Sequence, residues 1–489
     1  MPMKRTVYRT AIALLTVICS ASQSGAASEA KSPRKDYAVL VSKATAGEAK
    51  WKEVVDALAA KHHAEVIVYE SSVAESLDKL RSLFPRYVCA VATPAESTRQ
   101  LIADVHGLTR RLDEDPYGDA LWGILTGYDA EGALRIARHS EPLEIRRVVS
   151  GTEIELACCE EGTWYCELVQ GRMVRRQPGQ PPQPEKAPPD TTEALVDGLN
   201  VYKAQMFITS GHATERDWQI GFRYRNGQFR SQAGQLFGVD TRGGRFPVDS
   251  PNPKVYLPVG NCLMGHIDGP DAMALAFLHS AGVKQMIGYT FPTWYGYAGW
   301  GCLDYFLEQP GRFTFAESVF ANHQALLHRL ETYFPEIARM EMKPGEVPRN
   351  SIDVSAQASQ AGLSSNDGRG LLFDRDVLAF YGDPAWTARM APGPLAWQQS
   401  LEEQDGVYTF EVKPNRGQRT FEPINTNGSQ RGGRPILHLL PHRVEKVRIL
   451  EGADLQPLVT DDFVLVPNPG KCEPNRRYRV VFRAERIGK

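Results

Sequence analysis

A histidine and a cysteine, fifty residues apart, close two stretches of the same design. The first reads Met206-Phe-Ile-Thr-Ser-Gly-His212-Ala213 and the second Val255-Tyr-Leu-Pro-Val-Gly-Asn261-Cys262. Each is a short apolar run, a glycine, and a reactive side chain within two positions. A thiol beside an imidazole is the minimum for an activated sulfur nucleophile, with the imidazole as proton carrier. Taken singly, a cysteine after an apolar run is a small buried hydrophobe and a histidine there is a hydrogen-bonded loop residue. The ordered pair, each member at the end of its own run, is the more specific signal. His266 adds a third zinc-type ligand near Cys262. The chain has no His-Glu-x-x-His motif and no convincing fourth ligand, so a metal-dependent reading is not favoured.

Short apolar runs bounded by turn residues read as buried strands of a mostly parallel sheet. In such sheets the chemistry lies beyond the carboxyl ends of the strands. The rest of the chain supplies the elements for that sheet. Tyr37-Ala-Val-Leu-Val41, Ala64-Glu-Val-Ile-Val-Tyr69 and Tyr87-Val-Cys-Ala-Val91 alternate with segments of helical spacing, the pattern of βαβ units. Residues 177–190, rich in proline, read as an extended linker. Thr314-x-x-Glu317 is a capping box that predicts a helix to about residue 333. From about residue 402 the pattern changes to short alternating runs between turns, which predicts an all-β module of immunoglobulin-like sandwich type.

Hydrophobic block, His-Gly, spacer, hydrophobic block and Ala-Cys is the pattern of the caspase-fold (clan CD) cysteine peptidases. Within that group the chain resembles the gingipain family over roughly residues 36 to 395. The residues that carry the resemblance are Ser210-Gly211-His212-Ala213-Thr214-Glu215-Arg216-Asp217-Trp218, Gly260-Asn261-Cys262-Leu263-Met264-Gly265, and Tyr381-Gly382-Asp383-Pro384. Ala213 stands where the family has Gly, and Asn261 where it has Ala. The resemblance implies a non-catalytic α/β half (36–176), the linker (177–190), a catalytic caspase-like α/β half (191–395), both with mostly parallel sheets, and a small immunoglobulin-like β domain (402–489). It implies an endopeptidase acting on protein or peptide substrates, with Cys262 as nucleophile and His212 as general base. The backbone N–H groups of Ala213 and Cys262 would form the oxyanion hole. Glu161, in Cys159-Glu160-Glu161-Gly162, would be the acid that orients the histidine. Trp294, with Tyr295 beside it, would wall a specificity pocket, and Glu167 would meet an Arg or Lys side chain there. The chemistry needs no cofactor, although the resemblance allows a structural calcium ion. A catalytically silent relative, kept as a binding or structural module, is the alternative.

Composition agrees with a globular, multidomain chain: 42% of residues are apolar and 23% charged. The formal net charge of −2 argues against a nucleic-acid binder. Lys4, Arg5 and Arg9 precede the apolar run from Ala11 to Cys19, and small residues follow. That is an export signal over residues 1–27, with cleavage expected near 25–27 and a secreted or periplasmic location. The run is too short to span a bilayer, and Ile18 before Cys19 speaks against a lipid anchor. Removing the signal leaves seven of the eight cysteines, an odd number that suits a free thiol at Cys262. Cys158, Cys159 and Cys166 are close enough in sequence to hold one bridge.

Overall fold

A computed structural model describes residues 35–347 and 351–487. The expected export signal lies outside the described residues. Among these residues, twelve strands form one sheet. Their order across it is Glu65–Tyr69, Tyr37–Ser42, Tyr87–Val91, Leu121–Leu125, Leu378–Gly382, Val283–Tyr289, Lys254–Pro258, Met206–Thr209, Arg147–Ser150, Glu161–Tyr165, Arg172–Arg176 and Gln183–Lys186. Most neighbours pair parallel. Antiparallel pairing occurs where Val283–Tyr289 meets Leu378–Gly382 and along the last two neighbours.

The apolar runs are continuous because helices and loops cover both faces of the sheet. Tyr37–Ser42, Met206–Thr209 and Lys254–Pro258 are buried throughout. Alternate residues of one strand enter opposite cores, as the strand's period of two requires. Phe207 and Tyr256 pack on one face, with Phe277. Met206, Ile208, Val255 and Leu257 pack on the other, with Leu303 and Phe306. Each fully buried side chain of this size contributes about 2 kcal/mol. The predicted capping box forms: Phe315–Tyr333 is a helix whose Thr314 cap and Glu317 side chain satisfy each other's backbone N–H groups.

Two expectations change. The two α/β halves do not hold separate sheets. Leu378–Gly382, from the end of the second half, pairs with Leu121–Leu125 of the first through Tyr381 and Ile124. Arg147–Ser150 pairs with Met206–Thr209 across the other side. A late strand thereby fills the gap between the halves and makes one sheet of them. The proline-rich stretch also contains a strand, Gln183–Lys186, paired with Arg172–Arg176 at the sheet's edge. Proline is tolerated at such an edge because one side of the strand needs no ladder partner.

Residues 217–248 form a four-stranded antiparallel sheet beside the main one. It buries Trp218 and Phe229 against Phe207. At the C-terminus, four strands (Trp397–Gln404, Val407–Pro414, Tyr478–Arg486, Val444–Glu451) and three strands (Ile436–Leu439, Phe463–Val466, Leu458–Val459) make two antiparallel sheets. Phe410 and Phe482 from the first meet Ile436 and Val464 from the second in a shared core. Among the described residues no helix is long and apolar enough to cross a membrane.

Candidate active site

Five neighbouring parallel strands end on the same edge of the sheet and deliver the candidate residues there. In spatial order, Glu161–Tyr165 leads to Glu167, and Arg147–Ser150 to Thr152. Met206–Thr209 leads to His212, Lys254–Pro258 to Cys262, and Val283–Tyr289 to Thr293 and Trp294. The strands that carry His212 and Cys262 are direct neighbours, in register from Met206 opposite Val255 to Thr209 opposite Pro258.

Asn261 ties the two strand ends together. It is fully buried; Thr209 Oγ1 donates to its Oδ1 at 2.6 Å, and its Nδ2 donates to the Gly211 carbonyl at 3.0 Å. Gly211 takes a left-handed turn at φ +98° just before His212, where a side chain would be strained. Ala213 lies outside that region, so its methyl group costs nothing. Leu263, after the cysteine, does sit in the left-handed region at φ +59°, an uncommon conformation for leucine that fixes the turn after the thiol.

Cys262 is free and half-buried, whereas the other six described cysteines are free and buried. Among the described residues there is therefore no disulfide, and the 158, 159, 166 cluster, which could have held one bridge, holds none. Burial pushes the Cys302 and Cys159 thiols up to about 12, which leaves them inert at neutral pH. The Cys262 sulfur accepts a hydrogen bond from the Thr293 backbone N–H at 3.2 Å. Thr293 Oγ1 donates to the Asn261 carbonyl at 3.1 Å. The next residue, Trp294, is 41% exposed, and its ring lies beside Phe373. Tyr295 is 4% exposed and donates its hydroxyl to Asp367 at 3.0 Å, so it is a core residue rather than an open pocket wall.

The His212 side chain is exposed and stacks on Phe222, ring centroids 4.7 Å apart. Among the described residues no hydrogen bond joins the imidazole to the Cys262 sulfur; such contacts are commonly long before substrate arrives. Likewise, neither the Ala213 nor the Cys262 backbone N–H donates a hydrogen bond to a described residue.

The acidic residues divide differently from expectation. Glu161 opens its strand, in register with Arg147 at the amino end. It lies roughly 13 Å along the strand from the carboxyl edge, at about 3.3 Å per residue, and is not brought to His212. Glu167, beyond the other end of that strand, lies at the carboxyl edge. It is 6% exposed. Its Oε1 accepts from Thr152 Oγ1 at 2.6 Å and from Ser210 Oγ at 3.4 Å. Its carbonyl accepts the Phe222 N–H at 2.6 Å, so the residue also holds the ring on which His212 stacks. Oε2 is buried without a hydrogen bond. Burial raises the Glu167 carboxyl above its ordinary value, opposed chiefly by the Thr152 hydroxyl. Phe222, Thr293 and Thr152 were not read from the sequence: a phenylalanine in a turn and isolated threonines carry no signal there.

His266 is committed elsewhere. Its Nδ1 lies 2.9 Å from Glu215 Oε1 and 2.9 Å from an Arg99 nitrogen, in an ion cluster rather than a zinc site. Among the described residues, one group of three metal-type ligands brings its donor atoms within 4.8 Å of one another: Asp113, Asp115 and Asp461. All-oxygen donors of this kind fit calcium. Burial first, then the neighbouring carboxylates, raises Asp115 to about 7.

No family model matches the chain, and no curated protein matches it in sequence. Among solved structures it is similar to the Arg specific cysteine proteinase gingipain R. Identity is 11%, coverage is 90% of this chain and 93% of that one, and the TM-score is 0.42. It is similar also to the complex of Porphyromonas gingivalis RgpB pro- and mature domains. There identity is 10%, coverage is 89% and 93%, and the TM-score is 0.41.

Proposed function

We propose that the protein is an exported cysteine endopeptidase that cleaves after Arg or Lys. The observation that carries the reading is the Asn261 bridge between two neighbouring strand ends, one followed by His212 and the other by the accessible free thiol of Cys262. The Cys262 thiolate attacks the scissile carbonyl carbon, and a C–S bond forms as the oxyanion turns to the N–H groups of Cys262 and Ala213. The His212 imidazolium protonates the leaving amine as the C–N bond breaks. Water, deprotonated by His212, then hydrolyses the thioester and frees the thiolate. Trp294 offers an exposed aromatic wall one residue from Thr293. Glu167 offers a carboxylate whose Oε2 is buried without a partner, and a cationic side chain that opens the site to it would satisfy it with a charge-assisted bond. Asp113, Asp115 and Asp461 would hold the structural calcium ion that the resemblance allows, where it would neutralise their charge. The two sheets of the C-terminal module, four and three strands on one core, support the immunoglobulin-like assignment.

A fluorogenic peptide panel that varies the residue before the scissile bond tests this function. The expected result is turnover of Arg and Lys peptides, lost in Cys262→Ala. Glu167→Gln is expected to lower kcat/KM for these peptides about tenfold, the loss of roughly 1.4 kcal/mol of charge-assisted binding. Equal turnover of acidic and small apolar residues overturns the basic preference, and no Cys262-dependent turnover overturns the peptidase.

A further inference from the structure

The C-terminal β module reaches the candidate site through one loop. Between Val407–Pro414 and Ile436–Leu439 the chain leaves its own module and lies against the α/β domain. Asn427 Nδ2 donates to Thr152 Oγ1 at 3.2 Å and to the Glu153 carbonyl at 3.1 Å. Thr152 passes its own hydrogen to Glu167 Oε1. A relay therefore runs from the C-terminal module to the carboxylate under the His212 loop.

A second contact lies on the cysteine side. Gly428, at φ +105°, rests on the Trp300 ring, where a Cβ would come within 2.3 Å of Cε3. The same indole meets Gly260, two residues before Cys262, where a Cβ would come within 2.6 Å of Nε1. Trp300 is thus clasped between the loop and the cysteine turn. Ser429 lies against Gly296, two residues after Trp294: a Cβ on Gly296 would come within 2.8 Å of the Ser429 Cβ.

The loop is anchored rather than loosely draped. The Arg431 side chain is 2% exposed; its Nε donates to Asp304 at 2.6 Å and a terminal nitrogen donates to Glu308. Another donates to the Asn427 carbonyl at 3.1 Å, and Gly432 N–H donates to Asp304 at 3.0 Å. A buried arginine with two carboxylates fixes geometry at a desolvation cost a passive loop has no need to bear.

We propose that the loop over residues 425–431 is part of the active site, with Asn427 as a positioning residue that acts through Thr152 on Glu167, and Gly428 and Ser429 as the outer wall beside Trp294. The role rests on the peptidase reading. The C-terminal module then sets substrate preference as well as stability. Removing the Asn427 amide frees the Thr152 hydroxyl to turn and lets Glu167 protonate more readily, so a cationic side chain is held less well.

Steady-state kinetics on Arg and on Ala peptides, for wild type, Asn427→Ala and Asn427→Asp, test the inference. Asn427→Ala is expected to raise KM for the Arg peptide about tenfold, the loss of one charge-assisted contact. The KM for the Ala peptide is expected to change less than that for the Arg peptide, so the preference for Arg over Ala falls. Both variants are expected to move the acid limb of kcat/KM upward by about one pH unit, Asn427→Asp the further because it adds a charge that opposes Glu167 ionisation. If Asn427→Ala does not fold, Asn427→Asp carries the pH readout. An active wild type whose two variants keep its KM and pH profile overturns this inference alone. A wild type with no Cys262-dependent turnover overturns it together with the peptidase reading.

Discussion

Asn261 stands one residue from the thiol and holds the histidine turn at the distance the sheet sets. A short aliphatic residue in its place leaves the Gly211 carbonyl and Thr209 hydroxyl without that partner. Asn261→Ala is therefore expected to cost about 2 kcal/mol of stability, the price of stranding buried polar groups. It is also expected to slow reaction at Cys262 while leaving the thiol in place; a melting curve and a rate of thiol modification check both. His212 and Cys262 were legible because each ends an apolar run after a glycine, and that pattern survives without knowledge of the fold. The acid was not. Glu161 opens a five-residue strand and Glu167 lies two residues past its end, and only the strand's direction and neighbours decide which of them reaches the carboxyl edge. Asn427 carried no signal at all, since its partner Thr152 lies 275 residues away.

At the scale of elements, the strand Leu378–Gly382 closes the sheet, and the residue after it locks the closure. Asp383 is 1% exposed. It accepts from Tyr37 Oη at 2.8 Å, Lys61 Nζ at 2.9 Å and lies 2.7 Å from His62 Nε2. The hydrogen bond to His62 and the charge of Lys61 hold its carboxyl down at about 2. A depressed carboxyl stabilises the fold above its unfolded value, near 3.9, and that stability is lost as pH falls through the folded value. Asp383→Asn is expected to cost about 3 kcal/mol at neutral pH and to flatten the stability curve between about pH 4 and pH 2. Denaturant unfolding across that range checks it, and an unchanged acid limb would contradict the assignment. The individual strands around Asp383 were plain from their apolar runs. Their union into one sheet was not, because Leu378–Gly382 pairs across more than two hundred residues with Leu121–Leu125.

For the whole molecule, the same long-range logic joins the modules. Arg443, from the C-terminal module, lies over the Phe84 ring at 3.8 Å and donates to the Pro85 carbonyl at 3.0 Å. Arg431 and Asn427 bind at a second place, beside the candidate site. Leu437, Phe463 and Leu465 also enter the core that holds Leu303 and Phe306, so the C-terminal module packs on the α/β body through its sheet as well as these contacts, which its alternating runs alone could not suggest. The account as a whole stands or falls on the thiol at the sheet's edge. The most direct measurement is covalent labelling of the folded, full-length chain with a thiol-directed peptidyl inhibitor carrying Arg, read by mass spectrometry of the digested protein. The account predicts one adduct, on Cys262, formed faster than on an unstructured thiol, lost in Cys262→Ala and slowed in His212→Ala. Labelling spread over several cysteines, or a Cys262 rate indifferent to His212, would contradict it.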